Sequence, residues 1–429
     1  MKLWDKGLSL DKNIEEFTVG KDRELDLILA KYDIQGSISH VEMLNSIGML
    51  TEEEKDLLIE GLKTILRSVE SGEFIIEEGC EDVHSQIEMM LIADLGEIGK
   101  KIHLARSRND QVLLDLKLYF KDVLRDLMES AAEIVTICMD RAMQHKDALM
   151  PGYTHMQVAM VSSYGLWFSG IAESILDDME YVLATIDCID KNPLGTAAGY
   201  GSSMPIDREL TTKSLGFKSL CINPINAQIN RGKTEWMIAN AISSLGISIN
   251  KLSSDICLYS NENYRFFKLP KEYTTGSSIM PHKHNPDVME LIRAKSNQLM
   301  TLPNQIVMLL SNLNTGYHRD FQLLKELLFP AIQIATSILD LSKQVLGKIT
   351  INENLLEDDR YKYLFSVEKV NKYVLDGLSF RDAYRKVGAE IEAESFSSHH
   401  QASYTHIGSI GNLGLEKMKK RLGDYLNRI

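Results

Sequence analysis

The placement of helix breakers restricts this chain more than any other feature. All nine prolines lie between Pro151 and Pro330, and residues 100–150 contain neither proline nor glycine. Proline interrupts a helix and glycine weakens one, so a stretch this long without either can run as a single helix. Residues 171–192 also lack both, 233–269 hold only Gly246, 287–315 only Pro303 and 317–346 only Pro330. Apolar residues in the first stretch recur at Leu113, Leu116, Phe120, Val123, Leu127, Ala131, Ile134 and Cys138. Steps of three and four put them on one helical face. Strict alternation, the strand signal, is hard to find. The stretches predict helices of roughly 25–35 residues, far above the usual mean of about 11–12. No heptad is sustained, so the expectation is an elongated helical bundle rather than a coiled coil.

The ends read differently. The first hundred residues predict shorter helices broken at Gly36, Gly48, Gly72 and Gly96. The polar segment after about residue 355 carries Gly377, Gly388, Gly408, Gly411 and Gly414. A chain of 429 residues is too long for one core. The expectation is an all-α protein with an N-terminal helical domain over 1–105, a central helical bundle over 106–354 and a C-terminal helical domain over 355–429. Neither an internal repeat nor a low-complexity tract is found.

Composition excludes several classes. The 47 Lys and Arg against 60 Asp and Glu give a net charge of −13, which repels nucleic-acid backbones but leaves room for a small anion in a local cationic cleft. No apolar run has the roughly 20 residues of a membrane span. Met1 to Asn13 lacks the apolar core of an export signal. The cysteines Cys80, Cys138, Cys188, Cys221 and Cys257 are odd in number and widely spaced, which suits buried free thiols in a reducing cytoplasm.

Four segments concentrate polar functional groups. The richest is Thr275-Gly-Ser-Ser-Ile-Met-Pro-His-Lys-His-Asn-Pro-Asp287. Asn285 before Pro286 predicts a helix start, which would set Lys283 beside the positive end of the helix dipole. Glu290 falls in the second turn. Ser107-Arg-Asn-Asp-Gln111 offers a planar guanidinium for a carboxylate in Arg108 and an amide donor in Asn109. Pro151-Gly-Tyr-Thr-His-Met-Gln157 presents His155, which titrates near neutrality and suits proton transfer. Tyr317-His-Arg-Asp-Phe-Gln322-Leu-Leu-Lys325 offers Tyr317, Gln322 and Lys325 to a polar ligand. By composition alone each also admits a plainer reading, and for the last two segments it is the favoured one: a Ser/Gly/Pro loop, a helix cap, a packed or exposed histidine, a solvated helical face. The pairs His282/His284 and His399/His400 lack zinc spacing, and no phosphate-binding glycine motif is present, so neither a metal nor a cofactor is expected.

Together these motifs resemble a known family. Gly276-Ser-Ser-Ile-Met-Pro-His-Lys-His-Asn285 is similar to the signature loop of the fumarase/aspartase superfamily. Further segments resemble its argininosuccinate lyase branch: Asp33-Ile-Gln-Gly-Ser37, Glu81-Asp-Val-His84, Ser107 to Gln111, Pro151 to His155, Pro193-Leu-Gly195 with Ile206-Asp-Arg-Glu209, and the Tyr317, Gln322, Lys325 spacing. They run in order across roughly residues 26–330. The resemblance implies a central bundle of long helices flanked by two smaller helical domains, in a homotetramer whose active sites each draw on three subunits. It implies Ser277 as the base, with His155 as acid or proton relay paired with Glu290. Lys283 and Asn285 would hold the carboxylate that gains charge. Arg108, Asn109, Thr154 and Arg231 would bind the succinyl part, supported by Asp82. Tyr317, Gln322, Lys325 and Asp26 would face the amino-acid part.

The implied reaction is reversible β-elimination of argininosuccinate to arginine and fumarate in arginine biosynthesis, with neither metal nor cofactor. The chain departs from the family pattern at Lys21, Asp22, Gly232, the run after His155 and the residues after Gln322, and its C-terminal unit is short. Alternatives are adenylosuccinate lyase, a lyase for an N-acylated argininosuccinate, fumarase or aspartase, and a non-catalytic structural homologue.

Overall fold

The computed structural model describes residues 11–397, 402 and 404–428, leaving aside the side chains of Lys12 and Glu15. His399 and His400 lie outside the described residues, as does the N-terminal segment up to residue 10. The described chain is all-α apart from two-stranded pairings. Its helices are α1 (Lys12–Val19), α2 (Asp22–Asp26), α3 (Ala30–Ser46), α4 (Glu52–Glu70), α5 (Val83–Leu95), α6 (Arg108–Gln144), α7 (Tyr164–Ile189), α8 (Arg208–Ser214), α9 (Pro224–Ile229), α10 (Lys233–Tyr259), α11 (Asp287–Leu310), α12 (Leu323–Lys348), α13 (Ser366–Leu375), α14 (Phe380–Glu392) and α15 (Leu415–Leu426). None of the described helices is long and apolar enough to cross a membrane.

The breaker-poor stretches are the long helices. α6 has 37 residues, α7 26, α10 27, α11 24 and α12 26. Pro303 lies within α11 and Pro330 within α12, and neither ends its helix. Contacts gather the chain into two compact units, Met1–Asp126 with Tyr181–Ser243 and Leu299–Ile334, and Leu127–Glu180 with Ser244–Gln298 and Ala335–Ile429. Each long helix is divided between them.

The first unit has its own apolar core. Ile34, Val41 and Leu44 of α3 pack with Leu58, Leu62 and Ile65 of α4 and Val83, Ile87 and Leu91 of α5. α4 begins with a capping box, in which Thr51 accepts from the Glu54 backbone while Glu54 accepts from the Thr51 N–H. Gly48, Gly72 and Gly96 follow helix ends as expected, but Gly36 does not break a helix. It sits inside α3, where a Cβ would stand 2.5 Å from Leu114 Cδ2 of α6. Close approach of two helices, not chain reversal, is what this glycine permits.

The second unit is built around aromatic side chains. Tyr153, Tyr164, Trp167, Phe168, Tyr259, Tyr264, Phe266 and Phe267 form a continuous set of ring contacts. Tyr164 Oη donates to the carbonyls of Phe266 and Asn352. Here the sequence reading missed a feature: Pro151 to Gln157 is not a plain loop. Strands β1 (Leu149–Thr154) and β2 (Gln157–Ser163) form an antiparallel hairpin, with His155 and Met156 as its two-residue turn at φ 53° and 61°. Positive φ at both positions matches the strand twist of a tight hairpin, yet neither residue is Asn or Gly, so the usual turn signal was missing. Among the cysteines, Cys80, Cys138 and Cys221 are buried free thiols, whereas Cys188 is exposed.

Candidate active site

The first unit holds the expected substrate-binding cations. Arg108 opens α6, where Ser107 caps the helix by accepting from the Asn109 backbone at 3.3 Å. Its guanidinium lies 3.1 Å from Glu81 Oε2 and 3.2 Å from Asp82 Oδ2, and donates to Ser85 Oγ at 2.8 Å. Asp82 caps α5 by accepting from the Ser85 backbone at 2.8 Å. Burial pushes the Asp82 carboxyl up, but the charges of His84 and Arg108 outweigh it and hold the group below its ordinary value. Glu81 also takes Arg319 at 2.9 Å, so one acidic turn gathers two arginines. Arg108 is about one-quarter exposed and Asn109 half-buried, so both face accessible space.

Arg231 is buried and shares Glu235 with the Gly232 backbone: its Nε donates to Oε1 at 3.1 Å and the Gly232 N–H donates to Oε2 at 2.6 Å. Arg231 Nη1 has no hydrogen-bond partner among the described residues, nor does either polar atom of the Gln228 side chain. Both residues line a cavity of about 200 Å³ with Lys233, Asn314 and Phe321. A buried guanidinium with a spare donor beside an unpartnered amide is suited to an anion. The departure at Gly232 has a local cause, since φ is 79° and a Cβ would stand 2.2 Å from Leu310 Cδ2.

Lys325 is buried in α12, with its ammonium bonded to Asp26 and 2.7 Å from Asp22. Burial pulls the ammonium pKa down, but the two carboxylates outweigh it and raise it. Asp22 is pushed up to about 6 by burial and by Asp26, against the pull of Lys325. Gln322 donates to the carbonyls of Thr18 at 3.1 Å and Val19 at 2.8 Å. The N-terminal segment is thus tied down by residues assigned to the ligand. Tyr317 is 39% exposed and meets the Phe321 ring edge-on.

The second unit holds the expected proton-transfer groups. Ser277 Oγ accepts from the backbone N–H groups of Ile279 and Met280 at 3.3 and 3.1 Å. The loop is closed at its base by pairing of Thr275–Gly276 with His284–Asn285. Asn285 does not cap α11, which starts at Asp287; its amide lies 3.5 Å from Thr275 Oγ1 instead. Glu290 falls in the first turn and is exposed. Lys283 and Asn285 border a cavity of about 960 Å³, lined also by Arg265, Lys268, Lys271, His282 and His284 over a floor including Phe267 and Ile351. One carboxylate, Glu262, lines it, so it is strongly cationic. Thr154 and His155 sit exposed at the hairpin tip. Among the described residues no hydrogen bond joins Ser277 to His155, Lys283 or Glu290.

A family model described as Lyase matches residues 9–301. The argininosuccinate lyase of Bacteroides thetaiotaomicron is 52% identical over 412 residues, which is 96% of this chain and 92% of that protein. The chain belongs to the argininosuccinate lyase family. Membership makes it a carbon–nitrogen lyase. The argininosuccinate lyase of Thermotoga neapolitana is 40% identical, spanning 92% of this chain and 99% of its own. The solved structure of EDDS lyase in complex with formate superposes with a TM-score of 0.78 at 20% identity, covering 98% of this chain and 90% of that one. Class II fumarase from Schistosoma mansoni gives 0.72 at 16% identity, covering 89% and 88%. The fold is therefore the all-α fumarase/aspartase fold.

Sequence reasoning gave no role to Glu81 or Arg319, although both lie in segments it marked, and passed over Gln228 and Glu235. Glu235 stands four residues after Arg231, a helical pairing distance, and that signal was available. Gln228 carried none, because an unpartnered amide is visible only once its surroundings are packed.

Proposed function

We propose that the chain catalyses reversible β-elimination of argininosuccinate to arginine and fumarate, without metal or cofactor, in the cytoplasm. Identity of 52% over nearly the whole chain supports the substrate, and the signature loop carries the chemistry. That loop puts Lys283 and Asn285 on the wall of a cation-lined cavity.

The proton removed lies next to a carboxylate and is weakly acidic, so the carbanion must be stabilised by charge already in place. One such preorganised donor contributes roughly 3–4 kcal/mol. Ser277, having given up its own proton to become an alkoxide held by the Ile279 and Met280 N–H groups, takes the Cβ proton and returns to the hydroxyl. The electron pair left behind is held as an aci-carboxylate by Lys283 and Asn285. It then forms the double bond of fumarate as the C–N pair leaves with the guanidine. His155, paired with Glu290, supplies a proton to that nitrogen. Arg108, Asn109, Thr154 and Arg231 hold the succinyl carboxylates, supported by Asp82, and Gln228 joins Arg231. Tyr317, Gln322, Lys325 and Asp26 shape the amino-acid end.

The working form is a homotetramer with each site drawing on three subunits. Exposed Met156, Val158 and Met160 beside His155 support it, being suited to contact with another copy. The test is a substrate panel of argininosuccinate, its N-acylated form, adenylosuccinate, aspartate and malate, with fumarate followed by ultraviolet absorbance. Fumarate released fastest from argininosuccinate is expected. Turnover of adenylosuccinate alone would refute the assignment.

A further inference from the structure

Three of the segments that carry the family resemblance also meet at residues to which the proposed chemistry assigns no role. Asp33 of α3, His84 in the first turn of α5 and Gln111 of α6 converge, with Asp115, in the interior of the first unit. His84 Nδ1 is 2.8 Å from Asp33 Oδ1 and 3.7 Å from Asp115 Oδ2, and all three side chains are at most 6% exposed. Gln111 Nε2 reaches Asp33 Oδ1 at 3.4 Å. Asp115 Oδ2 and Gln111 Oε1 have no hydrogen-bond partner among the described residues.

Such a set could hold a cation or could hold a proton. Geometry favours the proton. Nδ1 and Oδ1 are at hydrogen-bond distance, and the adjoining void, bounded by Asp33, His84, Arg106 and Gln111, is about 10 Å³, the size of one water. Charge agrees. Burial and Asp33 push the Asp115 carboxyl well above its ordinary value, against the pull of His84 and Arg106, so Asp33 is the buried charge that an imidazolium at His84 compensates. Asp33 from α3, Asp115 from α6 and Asp82 from its own turn act on His84, which in turn repels His103; Asp26 and Arg106 act on Asp115, and Arg106 and Glu88 line the adjoining void. Burial lowers the imidazole pKa, but the carboxylates, Asp33 first, raise it to about 9.

The same turn of α5 faces two ways. His84 points into the cluster, while Asp82 and Ser85 on either side hold Arg108. We infer that His84 is a positioning residue, a buried imidazolium bonded to Asp33 and flanked by Asp115 that locks the first turn of α5 onto α3 and α6 and thereby aims Arg108. The inference rests on Arg108 as the anchor for a substrate carboxylate.

The test uses the full-length enzyme. His84→Gln keeps hydrogen-bonding capacity and removes the charge. It is expected to lower kcat/KM by roughly two decades, as misplacement of a binding group does, with most of the loss in KM. Leu91→Ala, in the core side of the same helix, should lose stability and keep KM. Unchanged KM in His84→Gln, or an equal rise in Leu91→Ala, overturns the inference. Loss of the imidazolium proton should raise the KM of the parent at alkaline pH. Should His84→Gln fail to fold, Asp33→Asn decides: it keeps an acceptor for Nδ1 and removes the charge that most raises the imidazole pKa, so that rise should move to lower pH than in the parent. Superimposable profiles would refute it. Arg108→Ala separates the two readings. Unchanged KM there removes the anchor itself, whereas a raised KM there with normal His84→Gln kinetics removes only the role of His84.

Discussion

Replacing Gly36 with alanine sets two measurable effects against each other. Alanine in a helix interior is favoured over glycine by about 1 kcal/mol. At Gly36, however, the added Cβ would lie 2.5 Å from Leu114 Cδ2 and 3.5 Å from its Cγ. Carbon atoms rest about 3.5–4.0 Å apart, so the Leu114 methyl must retreat by about 1 Å. Leu114 is 1% exposed, so the methyl retreats into other packed atoms. Overpacking of this kind costs about 1–3 kcal/mol. The net expectation is destabilisation by up to about 2 kcal/mol. Gly388 is the control: it lies inside α14 with no atom within 4 Å of its Cβ position. Gly388→Ala should stabilise by about 1 kcal/mol. Urea unfolding of both variants gives the comparison through shifts in midpoint at constant slope. The cycle with Leu114→Ala completes it, because in that background Gly36→Ala should become stabilising. If Gly36→Ala raises the midpoint as much as Gly388→Ala does, the close approach of α3 and α6 is not what this glycine serves.

Four further outcomes are expected. Because His84 is raised from 6.5 to about 9, it contributes about 3 kcal/mol to stability, fully present below pH 6.5 and lost as pH rises through 9; urea midpoints from pH 6 to 10 should show this slope, absent in His84→Gln. Lys325→Met leaves Asp22 and Asp26 without their counter-charge and should cost about 3–5 kcal/mol at pH 8. The loss should shrink toward pH 5, where Asp22, already raised to about 6, takes up a proton; equal losses at both pH values would count against it. Ser277→Ala should retain oligomeric size while losing at least about two decades of kcat, and normal turnover would mean another base. His155→Asn should slow C–N cleavage and alter the pH–rate profile; an unaltered profile removes the histidine from proton transfer.

Amino-acid order alone determined the helical class and the five long helices, because breaker spacing and three-four apolar steps are local properties that each segment carries by itself. It also marked the loop of Ser277, Lys283 and Asn285 and the turn of Arg108, since these sit in short contiguous motifs. The hairpin at His155 escaped because its turn uses two residues with no intrinsic liking for positive φ, so the conformation is imposed by the strands around it. Gly36 was misread for a related reason. A glycine that breaks a helix and one that admits a neighbouring helix look alike until Leu114, far along the chain, is brought against it. Only tertiary structure could bring Asp33, His84 and Asp115 together, leave Arg231 with a spare donor, and occupy Lys325 with two carboxylates. Charge state and hydrogen-bond satisfaction depend on burial and on partners distant in sequence, and no local pattern encodes either.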